Sequence, residues 1–348
     1  WTAAAKPPLS KAAGLLPQSI NIPIAASLFT VVRLLLLLGG FKESINLGAR
    51  LSLSVLHIPA AVILQGYFLW RAWQRVRANG QLTRRDHLDA LSIFVFVWCI
   101  PAALTSDIGL ALLNVPLFAL LYLGLARRSQ KGRVLSYALA AVVALFIAGA
   151  PLLRLALPFI RNEEFLLGFA SDSNYARFLH FAAPERLQAL ATKRGESLAI
   201  TSAILQSYIS SGIFGRGYGH SDVSPHLGDT ALRDFAPAVF VAAEWGLIGT
   251  LAMLLIYLLF TVAAHPWLPW HNGTAAESVI AFVAAATITV SSAYMILANH
   301  ELLLLTGKNA YLIGLDSAGD VIETLALLLI IAYGARREIG SAFGGGSA

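Results

Sequence analysis

The sequence predicts an all-α, polytopic membrane protein with about eight full spans plus interfacial or re-entrant helices. Three observations predict it. Of the 348 residues, 57% are hydrophobic and only 13% charged, where a soluble globular chain carries about 25% charged residues. The mean hydropathy is +0.70. Apolar runs of roughly 20 residues, the length a spanning helix needs, recur from end to end. The short alternating segments of a membrane barrel are absent. The spans leave no room for a separate soluble domain, so residues 1–348 read as one integral membrane domain.

The formal net charge of +6 does not point to nucleic acid. The basic residues cluster in short loops beside apolar runs, which is the pattern that sets membrane topology. The bilayer is therefore the expected partner, and nucleic acid is not. Cys99 lies inside an apolar run and has no second cysteine to pair with, so neither a disulfide nor redox chemistry has support. Residue 1 is Trp rather than Met, which fits a fragment or processed chain lacking an N-terminal segment. Residues 341–348, mostly Gly, Ser and Ala, read as a flexible tail.

Taken in order, Ile22–Gly40 is the first candidate span, and it carries Arg33, costly at that depth unless it snorkels or pairs. Leu51–Trp70 is the second. Arg71, Arg75, Arg77, Arg84 and Arg85 follow and mark a cytoplasmic loop, which makes the N terminus cytoplasmic as well. Leu88–Leu104 goes out and Ile108–Ala126 returns to Arg127, Arg128, Lys131 and Arg133. Leu135–Leu157 goes out again. Residues 161–234 then form a large extracytoplasmic loop, with a short, Ser-rich apolar stretch at 198–214 expected to be half-inserted. Phe235–Ala264 returns inward with Glu244 inside it, and a span from Glu277 to about Leu297 goes out. His300–Gly319 is interrupted by polar residues and glycines and reads as re-entrant or interfacial. Val321–Tyr333 closes the count at Arg336 and Arg337, which places both termini in the cytoplasm.

The chemistry concentrates in Gly212–Gly249, GIFGRGYGHSDVSPHLGDTALRDFAPAVFVAAEWGLIG. Asp234 stands where the outer loop meets a membrane helix. It is either a first-turn acid favoured by the helix dipole or a general base whose partial desolvation raises its pKa to a useful value. Gly212, Gly215, Gly217 and Gly219 could let backbone amides approach a phosphate, although glycine-rich turns are mostly just turns. No strand precedes them, so a dinucleotide fold is excluded. Arg216, His220 and Arg233 add positive charge, suited equally to lipid headgroups and to a substrate. Glu244 is an intramembrane acid expected to pair with a buried cation such as Arg33 or to line a cavity. Asp107 reads as a cap for the helix beginning at Ile108. Asp316, Asp320 and Glu323 read as helix-start acids at the outer mouth of the last span. No metal-ligand spacing, metalloprotease motif, nucleophile elbow or P-loop is present.

Gly212–Ser221, then Asp234, then Glu244-Trp-Gly-Leu-Ile-Gly249 resemble the SEDS family of RodA and FtsW, whose motif runs GGxFGxGxGxS, a loop, then TDFIFAVIAEELGxIG. The interval from Ser221 to Asp234 equals the family's interval to its catalytic aspartate. Three further patches are similar. Ser106-Asp107-Ile108-Gly109-Leu110-Ala111-Leu112 resembles QPDLGTAL, Arg177 with Phe181 and Pro184 resembles RxxxFLDP, and Thr306-Gly307-Lys308-Asn309 resembles the start of TGxPLPFISYGGSS. The chain departs from the pattern in one extra residue between Asp234 and Glu-x-Gly, in Ala243-Glu244 for paired glutamates, and in Tyr311–Ser317 for PFISYGG. The family has about ten spans, and a missing N-terminal hairpin would account for the difference.

The resemblance implies a membrane glycosyltransferase that polymerises an undecaprenyl-diphosphate-linked glycan such as lipid II on the outer face of a bacterial inner membrane. It implies Asp234 as the catalytic base and Gly215, Gly217, Gly219, Ser221 and Arg177 as substrate-binding residues, and the charges of Arg216 and Arg233 add them to the substrate-binding set. Glu244, Asp107, Thr306 and Lys308 would support them. No cofactor is demanded. A divalent cation, Mg or Mn, could assist the leaving diphosphate, but no ligand set for it is evident. The implied partner is a single-span class B penicillin-binding protein, a transpeptidase, or a similar membrane protein. Two other readings share the architecture. One is an O-antigen-type polymerase or ligase relying on loop arginines such as Arg177 and Arg186. The other is a non-catalytic scaffold or lipid transporter, in which Asp234 would be dispensable.

Overall fold

The computed structural model describes residues 20–38, 53–105, 108–128, 211–218, 237–269, 275–300, 302–303, 310–313 and 318–344. Among them there is no strand, and every regular element is helical. Helix α1 is Ile22–Leu38. A 3-10 turn, Leu53–Leu56, leads into α2, His57–Asn79. Helix α3, Arg84–Ser92, runs through wide π-type turns at Ile93–Cys99 into α4, Ile100–Thr105, and the three make one rod. Helix α5 is Ile108–Ala126. A second wide-turned stretch, Pro237–Ala242, opens α6, Ala243–Ala264, which ends in a 3-10 turn at His265–Trp267. Helices α7, Ala276–Asn299, and α8, Ala318–Gly344, complete the set.

Among the described residues, five helical rods are long and apolar enough to cross a bilayer: Arg84–Leu104, Gly109–Ala126, Glu244–Trp267, Ala276–Asn299 and Ala318–Arg336. The protein is a polytopic helical membrane protein. The expected span Leu135–Leu157 and most of the 161–234 loop lie outside the described residues. So does the half-inserted stretch at 198–214, except for 211–214, which are turn residues. Helix α8 continues to Gly344, through the first residues of the expected tail.

Helix α7 is the hub, packed against α2, α6 and α8. Its alanines and two glycines on its neighbours explain why. With no apolar driving force between helices in lipid, close backbone approach has to supply the attraction. A Cβ on Gly66 of α2 would lie 2.5 Å from the Ile280 Cα. One on Gly334 of α8 would lie 2.4 Å from the Ala281 Cβ and 2.7 Å from the Glu277 carbonyl oxygen. The opposite faces of α6 and α8 leave Leu251, Leu255, Leu258, Leu259, Leu325 and Leu329 exposed, as suits surfaces that meet lipid.

The cytoplasmic basic loop expected after Trp70 is corrected. Helix α2 runs on to Asn79, so Arg71, Arg75 and Arg77 are helical, and only residues 80–83 form the connection. The reason is local charge pairing. Arg75 Nη1 donates to the buried Asp86 carboxylate, and Arg71 lies 3.9 Å from the buried Asp89. Thr83 and Asp86 cap α3 reciprocally: the Thr83 amide donates to Asp86 Oδ2 at 2.8 Å, and the Asp86 amide donates to Thr83 Oγ1 at 3.3 Å. Gly80, with φ +71°, ends α2 by donating its amide to the Val76 carbonyl.

Where the rod widens at Ile93–Cys99, two carbonyls find partners on other helices. Thr30 of α1 donates to the Phe96 oxygen at 2.8 Å, and His57 of α2 donates through Nε2 to the Val97 oxygen at 3.0 Å. Irregular backbone at membrane depth survives only when protein satisfies it in this way. The same holds for the turn Ala310–Ile313, within the expected re-entrant segment. The Tyr311 amide donates to Ser292 Oγ at 3.0 Å, and Tyr257 donates to the Tyr311 carbonyl. The Tyr311 hydroxyl donates to Glu323 at 2.6 Å. Ser292 is roughly 10 Å down α7 from its C-terminal end at the usual helical rise, so this turn dips below the helix end.

Candidate functional site

A regular helix would bond the amides of Leu247 and Ile248 to the carbonyls four residues back. Helix α6 does not, because Gly246 adopts φ +63°, ψ −154° and breaks it. The two amides instead donate to the carbonyls of Gly212 and Ile213, each at 3.2 Å. The carbonyl of Glu244, freed by the break, accepts the amide of Gly217 at 3.0 Å. Ser211 Oγ adds a fourth link by donating to the Ala242 carbonyl. The segment Ser211–Tyr218 is thus bound, backbone to backbone, onto the broken start of α6.

Two glycines make the fit possible. A Cβ on Gly215 (φ +72°) would stand 2.4 Å from the Glu244 oxygen, and one on Gly246 would stand 2.4 Å from the Gly215 nitrogen. Each occupies the space a side chain on the other would need, and each has a backbone conformation that disfavours any L side chain. The continuous span expected over Phe235–Ala264 is therefore corrected: its N-terminal part is a wide-turned stretch followed by a break, and the glycine loop fills the break.

Of the sequence-predicted site residues, the structure brings together Gly215, Gly217, Arg216 and Glu244. Arg216 is exposed on the loop, and Glu244 is buried at the break while its carbonyl holds Gly217. Asp234, Gly219, Ser221, Arg233, Arg177, Asp107, Thr306 and Lys308 lie outside the described residues. Asp320 sits in the first turn of α8, as a helix-start acid should. Glu323, one turn further on, instead takes the Tyr311 hydroxyl.

The sequence reading missed Thr250 and His300. Thr250 is buried, donates to the Gly246 carbonyl at 3.2 Å and lies 3.1 Å from His300 Nε2 at the end of α7. Burial pushes the His300 imidazole below its ordinary pKa of 6.5, so it is neutral at pH 7. A glycine inside an apolar run with a hydroxyl four residues on was the available signal for the break. Among the described residues no group of three His, Cys, Asp or Glu side chains could hold a metal ion.

This loop-on-helix junction falls inside the region that a known family shares. No curated protein and no solved structure matches the chain. The family model for FtsW, RodA and SpoVE, described as "Cell cycle protein", matches residues 68–332. That match takes in α3 to α7 whole, most of α2 and α8, and the glycine loop, and it covers well over half of the sequence. The chain therefore belongs to the FtsW/RodA/SpoVE family, the SEDS membrane proteins.

Proposed function

We propose that the protein is a glycosyltransferase that polymerises an undecaprenyl-diphosphate-linked glycan, such as lipid II, at the outer face of a bacterial inner membrane. The observation that carries this reading is the glycine loop seated in the break of α6. A diphosphate at headgroup level needs fixed amides and cations, and a loop locked by backbone bonds offers them without reorganisation. Gly215 and Arg216 are in that loop, and Gly217 fixes it there by giving its own amide to the Glu244 carbonyl. Gly219, Ser221 and Arg177 are assigned to the same task by the family motifs and Arg233 by its charge, with Glu244, Asp107, Thr306 and Lys308 supporting.

In this reading the acceptor hydroxyl attacks the anomeric carbon of the donor sugar. Asp234 takes the hydroxyl proton as the new C–O bond forms, and the C–O bond to the lipid diphosphate breaks with inversion. The arginines hold the departing diphosphate charge. A class B penicillin-binding protein, whose transpeptidase would crosslink the new strand, is the proposed partner. The test is polymerisation of lipid II by the parent protein and by Asp234→Asn. A loss of about 100-fold or more is expected for removal of a general base. Equal product from both would remove Asp234 from the mechanism, and no product from the parent would remove lipid II as the substrate.

A further inference from the structure

We propose that His300, acting through Thr250, is the positioning residue that fixes the carbonyl at the α6 break and so keeps the glycine loop seated. Thr250 Oγ1 donates to the Gly246 oxygen at 3.2 Å, and a hydroxyl has one proton to give. The 3.1 Å contact to His300 Nε2 is therefore a bond in which the imidazole donates and the hydroxyl oxygen accepts. This fixes the Nε2–H tautomer of His300 and leaves Nδ1 as an acceptor.

The consequence runs from the imidazole to the loop. His300 stands at the C-terminal end of α7, on a different helix from the break. Its N–H orients the Thr250 hydroxyl, which grips the Gly246 carbonyl. The direction of that carbonyl is set by the non-helical ψ of −154° at Gly246. A threonine bonding back to the carbonyl four residues earlier bends a helix. Here that bend coincides with the place where the Leu247 and Ile248 amides turn away to Gly212 and Ile213. If the hydroxyl lost its orientation, the carbonyl could rotate and the Leu247 amide, in the same peptide plane, with it, and the loop would lose its seat.

The effect on turnover rests on the glycosyltransferase reading, while the effect on loop seating does not. Both are read in the full chain in lipid nanodiscs, with His300→Leu, His300→Gln, Thr250→Val and Thr250→Ser. Hydrogen exchange is followed in peptides covering 211–218 and 244–250, and polymerisation is assayed with lipid II. His300→Leu and Thr250→Val are expected to raise exchange about three- to tenfold, the effect of one net hydrogen bond on local opening. His300→Gln supplies an N–H near the same place, and Thr250→Ser keeps the hydroxyl. Both should stay within about twofold of the parent, and turnover should fall and recover with the same pattern. Unchanged exchange in both His300→Leu and Thr250→Val overturns the proposal, as does a His300→Gln variant as loose as His300→Leu. Exchange that follows the pattern while neither parent nor variants make product supports the seating role and counts against the glycosyltransferase reading.

Discussion

At Gly246 the backbone angles φ +63° and ψ −154° break α6 and open the seat of the glycine loop. Two substitutions separate strain from crowding. Gly212 has φ +81° with open space around its missing Cβ, whereas Gly246 has φ +63° and the Gly215 nitrogen 2.4 Å away. Gly212→Ala should cost only the left-handed strain, about 1–2 kcal/mol. Gly246→Ala should cost about 2–5 kcal/mol, because displacement of the loop adds to the strain. Denaturation of the two variants in the same detergent measures the difference, and equal losses would mean that the loop yields without cost. The imidazole of His300 offers a pH test. Its folded pKa is lowered by burial from 6.5, so the unfolded state binds more protons in acid. Its contribution is complete above pH 6.5 and is lost as the pH falls through that value toward the lowered one. Opening of the 211–218 loop should therefore increase on acidification, and His300→Gln should flatten the profile.

At the scale of elements, the helices were legible because their apolar runs are long and their ends are marked. Ile108–Ala126 is the same in sequence and structure, and the helix expected from Glu277 begins at Ala276. What the runs did not show was where a helix changes its winding. Neither π-type stretch is marked by composition, since a wide turn is stabilised by what its carbonyls meet elsewhere, α1 and α2 for Phe96 and Val97 and the loop residue Ser211 for Ala242. The α2–α3 hairpin misled for a related reason. Arg71 and Arg75 look like loop residues until Asp89 and Asp86 are brought opposite them. Asp86→Asn should cost about 1–3 kcal/mol through the weakened cap and ion pair, and Arg71→Gln a similar about 1–3 kcal/mol, since it removes a 2.7 Å bond to the Ile20 carbonyl and the cation beside the buried Asp89; denaturation in detergent measures both. Gly66→Ala should loosen α2 from α7 by about 1–3 kcal/mol, because the added methyl meets Ile280 backbone rather than a flexible side-chain end.

For the whole molecule, the order of the helices and the contacts between them define which ends share a side. Helix α7 runs against α6, with Thr250 near the break reaching His300 at the far end of α7. Helix α8 also runs against α7, with Gly334 reaching Glu277 near its start. The glycine loop and the end of α7 are therefore on one side, and the α6–α7 connection and the end of α8 are on the other. From the basic residues at the end of α8 we propose that this second side faces the cytoplasm. Single cysteines in a Cys99→Ala background test this. Cysteines replacing the exposed Ile213 and Leu302 should react with an impermeant reagent from outside. A cysteine replacing Gln81, in the basic α2–α3 connection, should react only after the membrane is opened. The reverse pattern would invert every span.

The amino-acid order alone determined that the chain crosses a membrane as helices, because an apolar run of that length can satisfy its backbone in lipid in no other way. It also determined the family, through glycines and an acid at fixed intervals. Only the tertiary structure decided that α6 is interrupted and that residues from 211 to 218 fill the gap. It alone decided that Thr250 and a histidine 50 residues further along govern the carbonyl there. Those bonds join groups far apart in the chain, and no local propensity records which distant partner a freed amide or carbonyl will meet.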